Sequence, residues 1–147
     1  MQASTPIHYT SEIPKDLDQL LELYGSVEWT TYLNGSEKLE TSLKNSSYII
    51  CAYDDDRLVG CARGLSDEVA IHFIQELIVH PEYQKRGIGR TLLQKAVDLY
   101  PESRKHVLLT DDTLPIKEFY ESQGFQSTKD FIPKINTFLK WGLSEPQ

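Results

Sequence analysis

The sequence has few cysteines, no long hydrophobic run and little positive charge. Its two cysteines, Cys51 and Cys61, are ten positions apart and form no Cys-x-x-Cys pair, and no histidine stands close to either. We therefore expect no metal site and interpret both as buried core thiols rather than reactive or paired ones. No stretch approaches the roughly 18 apolar residues that a membrane span requires, and no signal peptide is visible at the N-terminus. These absences predict a cytoplasmic protein without a membrane partner.

The sequence has fewer basic than acidic residues: 15 Lys and Arg and 22 Asp and Glu, which gives a net charge of −7. A surface of this sign repels the phosphates of nucleic acids, so we expect no nucleic-acid partner. The 147 residues, 39% hydrophobic and 25% charged, are enough to form a core without disulfide or metal support. We predict a single domain over residues 1–147.

Hydrophobic periodicity predicts the order of the helices and strands. The predicted elements are a strand near residues 7–9, helices over 14–24 and 36–45, a hairpin over 48–62, a long strand from Val69 to Val79, a helix from Gly87 to Tyr100, a strand over 107–110, a helix over 115–124, and closing strands at Phe125 and over 135–141. This order predicts an α/β (α+β) fold, with helices flanking a mixed sheet.

The segment over residues 76–90, a strand, a loop and the start of a helix, carries the clearest chemical signal. Between Pro81 and Lys95 the net charge is +3. Gly87 and Gly89 stand where the helix begins, and a helix start offers unpaired N–H groups and a partial positive charge to an anion. The spacing lacks the Lys-Ser/Thr of a P-loop and the third glycine of a dinucleotide fingerprint. We therefore expect a phosphate-binding loop of another type.

The pattern Gln84-x-x-Gly87-x-Gly89 resembles the acyl-CoA signature of the GNAT superfamily of N-acetyltransferases. Residues 77–81, Leu-Ile-Val-His-Pro, are similar to the family's preceding strand, and residues 119–125, Phe-Tyr-Glu-Ser-Gln-Gly-Phe, are similar to its downstream helix. The resemblance covers about Glu68 to Lys140. It implies the GNAT fold, in which helices flank a mixed, mostly antiparallel twisted sheet, and a metal-free transferase activity that uses acetyl-CoA.

The resemblance also implies how acetyl-CoA binds. The strand backbone at two positions is expected to pair with the pantetheine arm as an added strand would. The backbone amides of the signature are expected to hold the pyrophosphate, with basic side chains beside it. Thr113 stands where the family often has asparagine, and its hydroxyl can still hydrogen-bond the cofactor. The expected cofactor-binding residues are Leu77, Val79, Gln84, Lys85, Arg86, Gly87, Ile88, Gly89, Arg90, Thr113 and Phe119.

N-acetylation requires a proton acceptor for the amine and a proton donor for the departing thiolate. Tyr120 matches the tyrosine that serves as general acid in many family members; the alternative is an ordinary core aromatic. Glu76 is the leading candidate for the base, and the alternative is a strand glutamate that faces solvent. His72 and His80 are further candidates for proton transfer.

Recognition of the acceptor is expected in the loop over residues 26–35. Glu28, Trp29 and Tyr32 are the predicted substrate-binding residues, because aromatic and acidic side chains suit an amine; alternatively, the two aromatics cover the core. The favoured function is direct transfer from acetyl-CoA to a small primary amine in a ternary complex. The alternatives are a protein or peptide N-acetyltransferase and an acyl-CoA-binding regulatory module, and the family also implies a possible homodimer.

Overall fold

The computed structural model describes residues 5–29 and 36–142. Along these ranges the helices and strands are β1 Ile7–Thr10, α1 Leu17–Ser26, α2 Ser36–Asn45, β2 Tyr48–Asp54, β3 Arg57–Ser66, β4 His72–Val79, α3 Ile88–Asp98, β5 His106–Leu108 and α4 Leu114–Ser122. Short 3-10 turns occupy Pro81–Tyr83 and Thr128–Asp130. The chain divides into two units: Met1–Leu109 holds the sheet and the first three helices, and Thr110–Gln147 holds α4.

The sheet has the strand order β1-β2-β3-β4-β5. The first four strands pair antiparallel, and β4 pairs with β5 in parallel. The predicted mixed, mostly antiparallel sheet with flanking helices is therefore confirmed. The parallel pairing covers only His72 to Ile74 of β4. Beyond Ile74, β4 continues to Val79 with no described strand beside it on that edge.

A β-bulge in β4 changes which face its side chains occupy. Glu76 pairs with Arg63 and Ile74 pairs with Gly64, so Gln75 has no partner on β3. Glu76 contacts Tyr24 of α1 on one face, whereas the His72 ring packs with Tyr48, a residue that lies against the core beneath α3. Regular alternation would place His72 and Glu76 on the same face. The extra residue places them on opposite faces.

Each face of the sheet carries its own hydrophobic core. Under α1 and α2 the buried residues include Leu20, Leu23, Leu39, Leu43 and Ile78; under α3 they include Val59, Ala62, Ile88, Leu92 and Ala96. Cys51 and Cys61 lie opposite each other on β2 and β3 and are fully buried free thiols. Their burial confirms the prediction that both are core thiols, and it raises the pKa of the Cys51 thiol to about 12.

Two predicted elements begin later than expected. The first helix begins at Leu17 rather than residue 14, because the Asp16 side chain caps it by accepting the N–H of Asp18 at 3.0 Å. The long strand begins at His72 rather than Val69. Asp67 accepts the backbone N–H groups of the next turn, at Val69, Ala70 and Ile71, and this local bonding replaces a strand ladder.

The predicted closing strands at Phe125 and over 135–141 are wrong within the described residues. Residues 123–142 contain only the 3-10 turn at Thr128–Asp130. Ile132 and Phe138 are almost fully exposed. A run of alternating apolar residues becomes a strand only where it pairs with a sheet edge, and this run pairs with no described strand.

Candidate active site

The loop between β4 and α3 adopts a backbone that favours glycine at one critical position. Gly87 precedes α3 with φ of +82°, in the left-handed region. An L side chain there costs about 1–2 kcal/mol. Lys85 also has positive φ, at +64°. The loop thus contains two left-handed residues within three positions, which turns successive N–H groups away from ordinary helical or strand partners.

The N–H groups of residues 85–90 donate to no acceptor among the described residues. The carbonyl of Gly87 accepts both the N–H and the hydroxyl of Thr91, at 3.1 and 3.0 Å, which closes the first turn of α3. No acidic side chain lies in that first turn and no side chain caps it. The start of α3 therefore presents unsatisfied donors and the positive end of the helix dipole to solvent. This arrangement suits a phosphate or pyrophosphate.

The structure brings Gln84 to Arg90 together in this one loop. The side chain of Ile88 is buried in the core beneath α3, so only its backbone is available to a ligand. Lys85, Arg86 and Arg90 are exposed. The Gln84 side-chain amide donates to the carbonyl of Val79 at 3.1 Å and fastens the loop to the strand.

The open edge of β4 exposes backbone groups at the positions predicted to bind pantetheine. The N–H of His80 donates to Val59 on β3 at 2.8 Å. Because backbone groups point to opposite edges at alternate residues, those of Leu77 and Val79 point away from β3. Gln84 reaches the Val79 carbonyl on that side. Leu77 and the N–H of Val79 therefore face an edge without a strand partner among the described residues, where an amide-containing chain could bind.

Glu76 belongs to a buried ion pair. Its Oε1 lies 2.5 Å from Arg63 Nη2, and its Oε2 accepts from Arg63 Nε at 3.1 Å and from the Tyr24 hydroxyl at 2.5 Å. Arg63 also donates to the Ser46 hydroxyl at 3.0 Å. Only 3% of the Glu76 side chain is exposed, so its interpretation as a solvent-facing glutamate is wrong. Both carboxylate oxygens have donors, a geometry that favours a positioning role over proton transfer from an amine.

Tyr24 and Arg63 were not predicted as site residues. The available signal was Arg63 and Glu76 in the interiors of two mostly apolar strands, since buried charges in proteins occur as pairs. The contact with Tyr24 has no signal in the sequence, because the two residues are 52 positions apart. Burial raises the pKa of the Tyr24 hydroxyl well above its usual value, which keeps it a donor to Glu76.

The second unit carries the residues predicted from the downstream motif. Tyr120 on α4 is half-buried and packs edge-on against Phe119 and Phe125, with ring centroids 5.0 and 5.8 Å apart. Burial raises the pKa of Tyr120 to about 12, so the phenol is protonated at neutral pH. Thr113 directly precedes α4, and its side chain makes no capping hydrogen bond.

The predicted acceptor residues follow α1. Glu28 is exposed and has φ of +64°. The Trp29 ring stacks on Tyr24 at 6.3 Å between centroids and is 43% exposed. Trp29 is therefore linked through Tyr24 to the Glu76–Arg63 pair. Tyr32 lies outside the described residues.

No group of three or more His, Cys, Asp and Glu side chains in residues 5–29 and 36–142 is placed to hold a metal ion. No helix in these ranges is long and apolar enough to cross a membrane.

Comparisons with known proteins agree with this architecture. The model of the acetyltransferase (GNAT) family matches residues 15–125. A GNAT-family acetyltransferase from Streptococcus pneumoniae has a similar structure, with a TM-score of 0.81 and 31% identity, over 95% of this chain and all of that one. An uncharacterized N-acetyltransferase, ycf52-like, from Prochlorococcus marinus is 32% identical over 86% of this chain and 69% of its own length. A histone acetyltransferase from Glycine max is 31% identical over 65% of this chain and 46% of its own length. The chain belongs to the GNAT family of N-acetyltransferases.

Proposed function

We propose that this protein transfers the acetyl group of acetyl-CoA directly to a primary amine, with a small-molecule amine as the favoured acceptor. The observation that carries the proposal is the loop over residues 85–90, whose N–H groups have no acceptor among the described residues, next to the open edge of β4. Membership of the GNAT family supports the type of reaction.

The chain's residues fit acetyl-CoA at two places. The N–H groups of the loop, together with Lys85, Arg86 and Arg90, suit the pyrophosphate. The edge of β4 at Leu77 and Val79 suits the amides of pantetheine. When bound, acetyl-CoA supplies an acetyl group as a thioester and departs as a thiol. Thr113 and Phe119, next to and on α4, stay predicted cofactor contacts.

Tyr120 is the proposed general acid. The phenol must hold its proton until charge develops on the departing sulfur, and a pKa of about 12 keeps it protonated throughout the neutral range.

Glu76 stays a predicted base, although its ion pair with Arg63 does not favour that role. The base removes a proton from the acceptor ammonium, because an ammonium has no lone pair for attack. If Glu76 is the base, Glu76→Gln removes the acidic limb of the pH–rate profile. If Glu76 only positions other residues, Glu76→Gln lowers the amount of folded enzyme, but the molecules that remain folded keep the acidic limb.

Trp29 and Glu28 are the proposed acceptor contacts among the described residues. The exposed face of Trp29 suits an aromatic or cationic amine, and Glu28 suits a second positive charge. A protein amine is the second candidate acceptor, supported by the name of the Glycine max relative.

The experiment is an acceptor screen that follows free thiol release from acetyl-CoA over aromatic amines, polyamines, amino acids, aminoglycosides and histone-derived peptides. We expect release with at least one small amine. Release with peptides alone would replace the small-molecule acceptor by a protein acceptor. Tight acetyl-CoA binding with no release for any amine would favour the regulatory module.

The matched variant is Tyr120→Phe, which keeps the ring and removes the hydroxyl. We expect kcat to fall about 10²-fold, the lower range for general acid–base catalysis, with little change in acetyl-CoA affinity. If the kcat of Tyr120→Phe equals that of the wild type at every pH from 6 to 9, Tyr120 is not the general acid.

A further inference from the structure

The turn between β2 and β3 contacts the segment that leads into the phosphate-binding loop. The hydroxyl of Tyr83 donates to Asp54 Oδ2 at 2.6 Å. The Arg57 guanidinium lies 5.5 Å from the centre of the Tyr83 ring, and Arg57 Nη1 lies 3.4 Å from Glu82 Oε2. We call Asp54, Arg57 and Tyr83 the hairpin brace.

Tyr83 connects this brace to both the core and the loop. Its ring packs at the margin of the core beneath α3, and the Arg86 guanidinium lies 4.9 Å from the ring centre. The hydrogen bond to Asp54 raises the pKa of the Tyr83 hydroxyl, so it remains a donor to the carboxylate. Hydrogen bonds between a hydroxyl and a carboxylate are among the stronger ones in proteins.

The loop needs such support because it has few bonds of its own. Lys85 and Gly87 have positive φ, and the N–H groups of residues 85–90 have no acceptor among the described residues. Upstream, the N–H of Gln84 makes only a long bond of 3.4 Å to Pro81. The position of residues 85–87 therefore depends on the Gln84 side chain, on the 3-10 turn that contains Tyr83 and, on the other side, on α3, which begins at Ile88.

We propose that Asp54 and Tyr83 are positioning residues for acetyl-CoA: by fixing the 3-10 turn to the β2–β3 turn, they hold the N–H groups of residues 85–90 in place for the pyrophosphate. This inference rests on the proposed function. Neither side chain contacts the cofactor in this account, and both act through the backbone of the loop.

Substitution of Asp54 distinguishes loss of the hairpin brace from loss of a nearby negative charge, because the two losses change the affinity for acetyl-CoA in opposite directions. A carboxylate near an anion site weakens anion binding by charge repulsion, so removing it should tighten binding. Loss of the brace should instead weaken binding, because the loop must then be ordered when the cofactor binds.

The experiment measures the Kd for acetyl-CoA by titration calorimetry, and the urea midpoint to verify folding. Asp54→Ala removes the charge and the acceptor, Asp54→Asn removes the charge but leaves an acceptor for Tyr83, and Tyr83→Phe keeps the ring and removes the hydroxyl. Asp56→Ala is the matched control, since it removes an exposed carboxylate from the same turn.

We expect Asp54→Ala and Tyr83→Phe each to weaken binding about tenfold, the factor that corresponds to 1.4 kcal/mol. Asp54→Asn and Asp56→Ala should stay within about twofold of the wild type or bind more tightly. Because one hydrogen bond is lost in both, the double variant Asp54→Ala/Tyr83→Phe should be no weaker than either single variant.

Equal affinities of Asp54→Ala and Asp56→Ala, a loss in Asp54→Asn as large as in Asp54→Ala, or additive losses in the double variant would each overturn the brace while leaving the proposed function intact. Absence of acetyl-CoA binding by the wild-type chain would overturn the proposed function, and the inference with it.

Discussion

The buried ion pair between Arg63 and Glu76 makes the substitution Glu76→Gln informative about both folding and catalysis. The two side chains are 5% and 3% exposed, and the guanidinium reaches both carboxylate oxygens. A glutamine removes the balancing negative charge and places an amide NH₂ group or a neutral oxygen against the guanidinium. Loss of one partner of a buried pair costs about 3–5 kcal/mol, a large part of a typical domain's stability.

Urea denaturation at pH 7 with linear extrapolation measures this loss. The double variant Arg63→Met/Glu76→Leu removes both charges and should recover part of the lost stability, because apolar side chains of similar size often replace a buried pair without a net cost. The recovery is incomplete because the Tyr24 hydroxyl loses its acceptor. Glu40→Gln is the control: its pair with Lys44 is about half exposed, and it should change stability by less than about 0.5 kcal/mol. A loss below about 1 kcal/mol in Glu76→Gln, or a double variant less stable than that single variant, would refute the reasoning.

Two further predictions concern stability. Burial lowers the pKa of His72 from 6.5 to about 4, so the neutral ring stabilises the fold above pH 6.5 and this contribution is lost as the pH falls toward 4. Between pH 7 and pH 5 the free energy of unfolding of the wild type should therefore fall by about 1–2 kcal/mol more than that of His72→Gln. An equal fall in the two proteins, measured by urea denaturation at both pH values, would contradict this. A Cβ at Gly64 would lie 2.5 Å from the Tyr48 hydroxyl and 2.6 Å from the Phe73 carbonyl oxygen, so Gly64→Ala should cost about 1–3 kcal/mol. At Gly25 an added Cβ would have no atom within 4 Å, so Gly25→Ala should leave the stability of α1 unchanged or increase it. Equal melting temperatures of Gly64→Ala and Gly25→Ala would refute the predicted clash at Gly64.

The loop between β4 and α3 was predictable because its signal is local, whereas its binding of phosphate stays a prediction. The glycines, the basic residues and the following amphipathic helix lie within one short segment, and the left-handed φ at Gly87 is a property of that segment. The order of most helices and strands along the chain followed from the same kind of local periodicity. The family resemblance added Tyr120, whose role in catalysis stays a prediction.

What could not be predicted depends on pairing between distant segments. The bulge at Gln75 leaves the sequence alternation intact yet places His72 and Glu76 on opposite faces. The contact of Tyr83 with Asp54 requires the register of the sheet, which a sequence pattern does not specify. The predicted strand over 135–141 failed for the same reason, since alternation cannot show whether a partner edge exists.

The most direct test of the central claim is acetyl-CoA binding by the wild type, Gly87→Ala and Gly124→Ala, measured by titration calorimetry. Both glycines have left-handed backbone, at φ of +82° and +90°, and at neither position would a Cβ meet an atom closer than 3.8 Å, so both substitutions carry the same strain of about 1–2 kcal/mol. Only Gly87 belongs to the phosphate-binding loop. We expect the wild type and Gly124→Ala to bind acetyl-CoA and Gly87→Ala to bind it about tenfold or more weakly. No binding by the wild type, or equal affinities of the two variants, would contradict it.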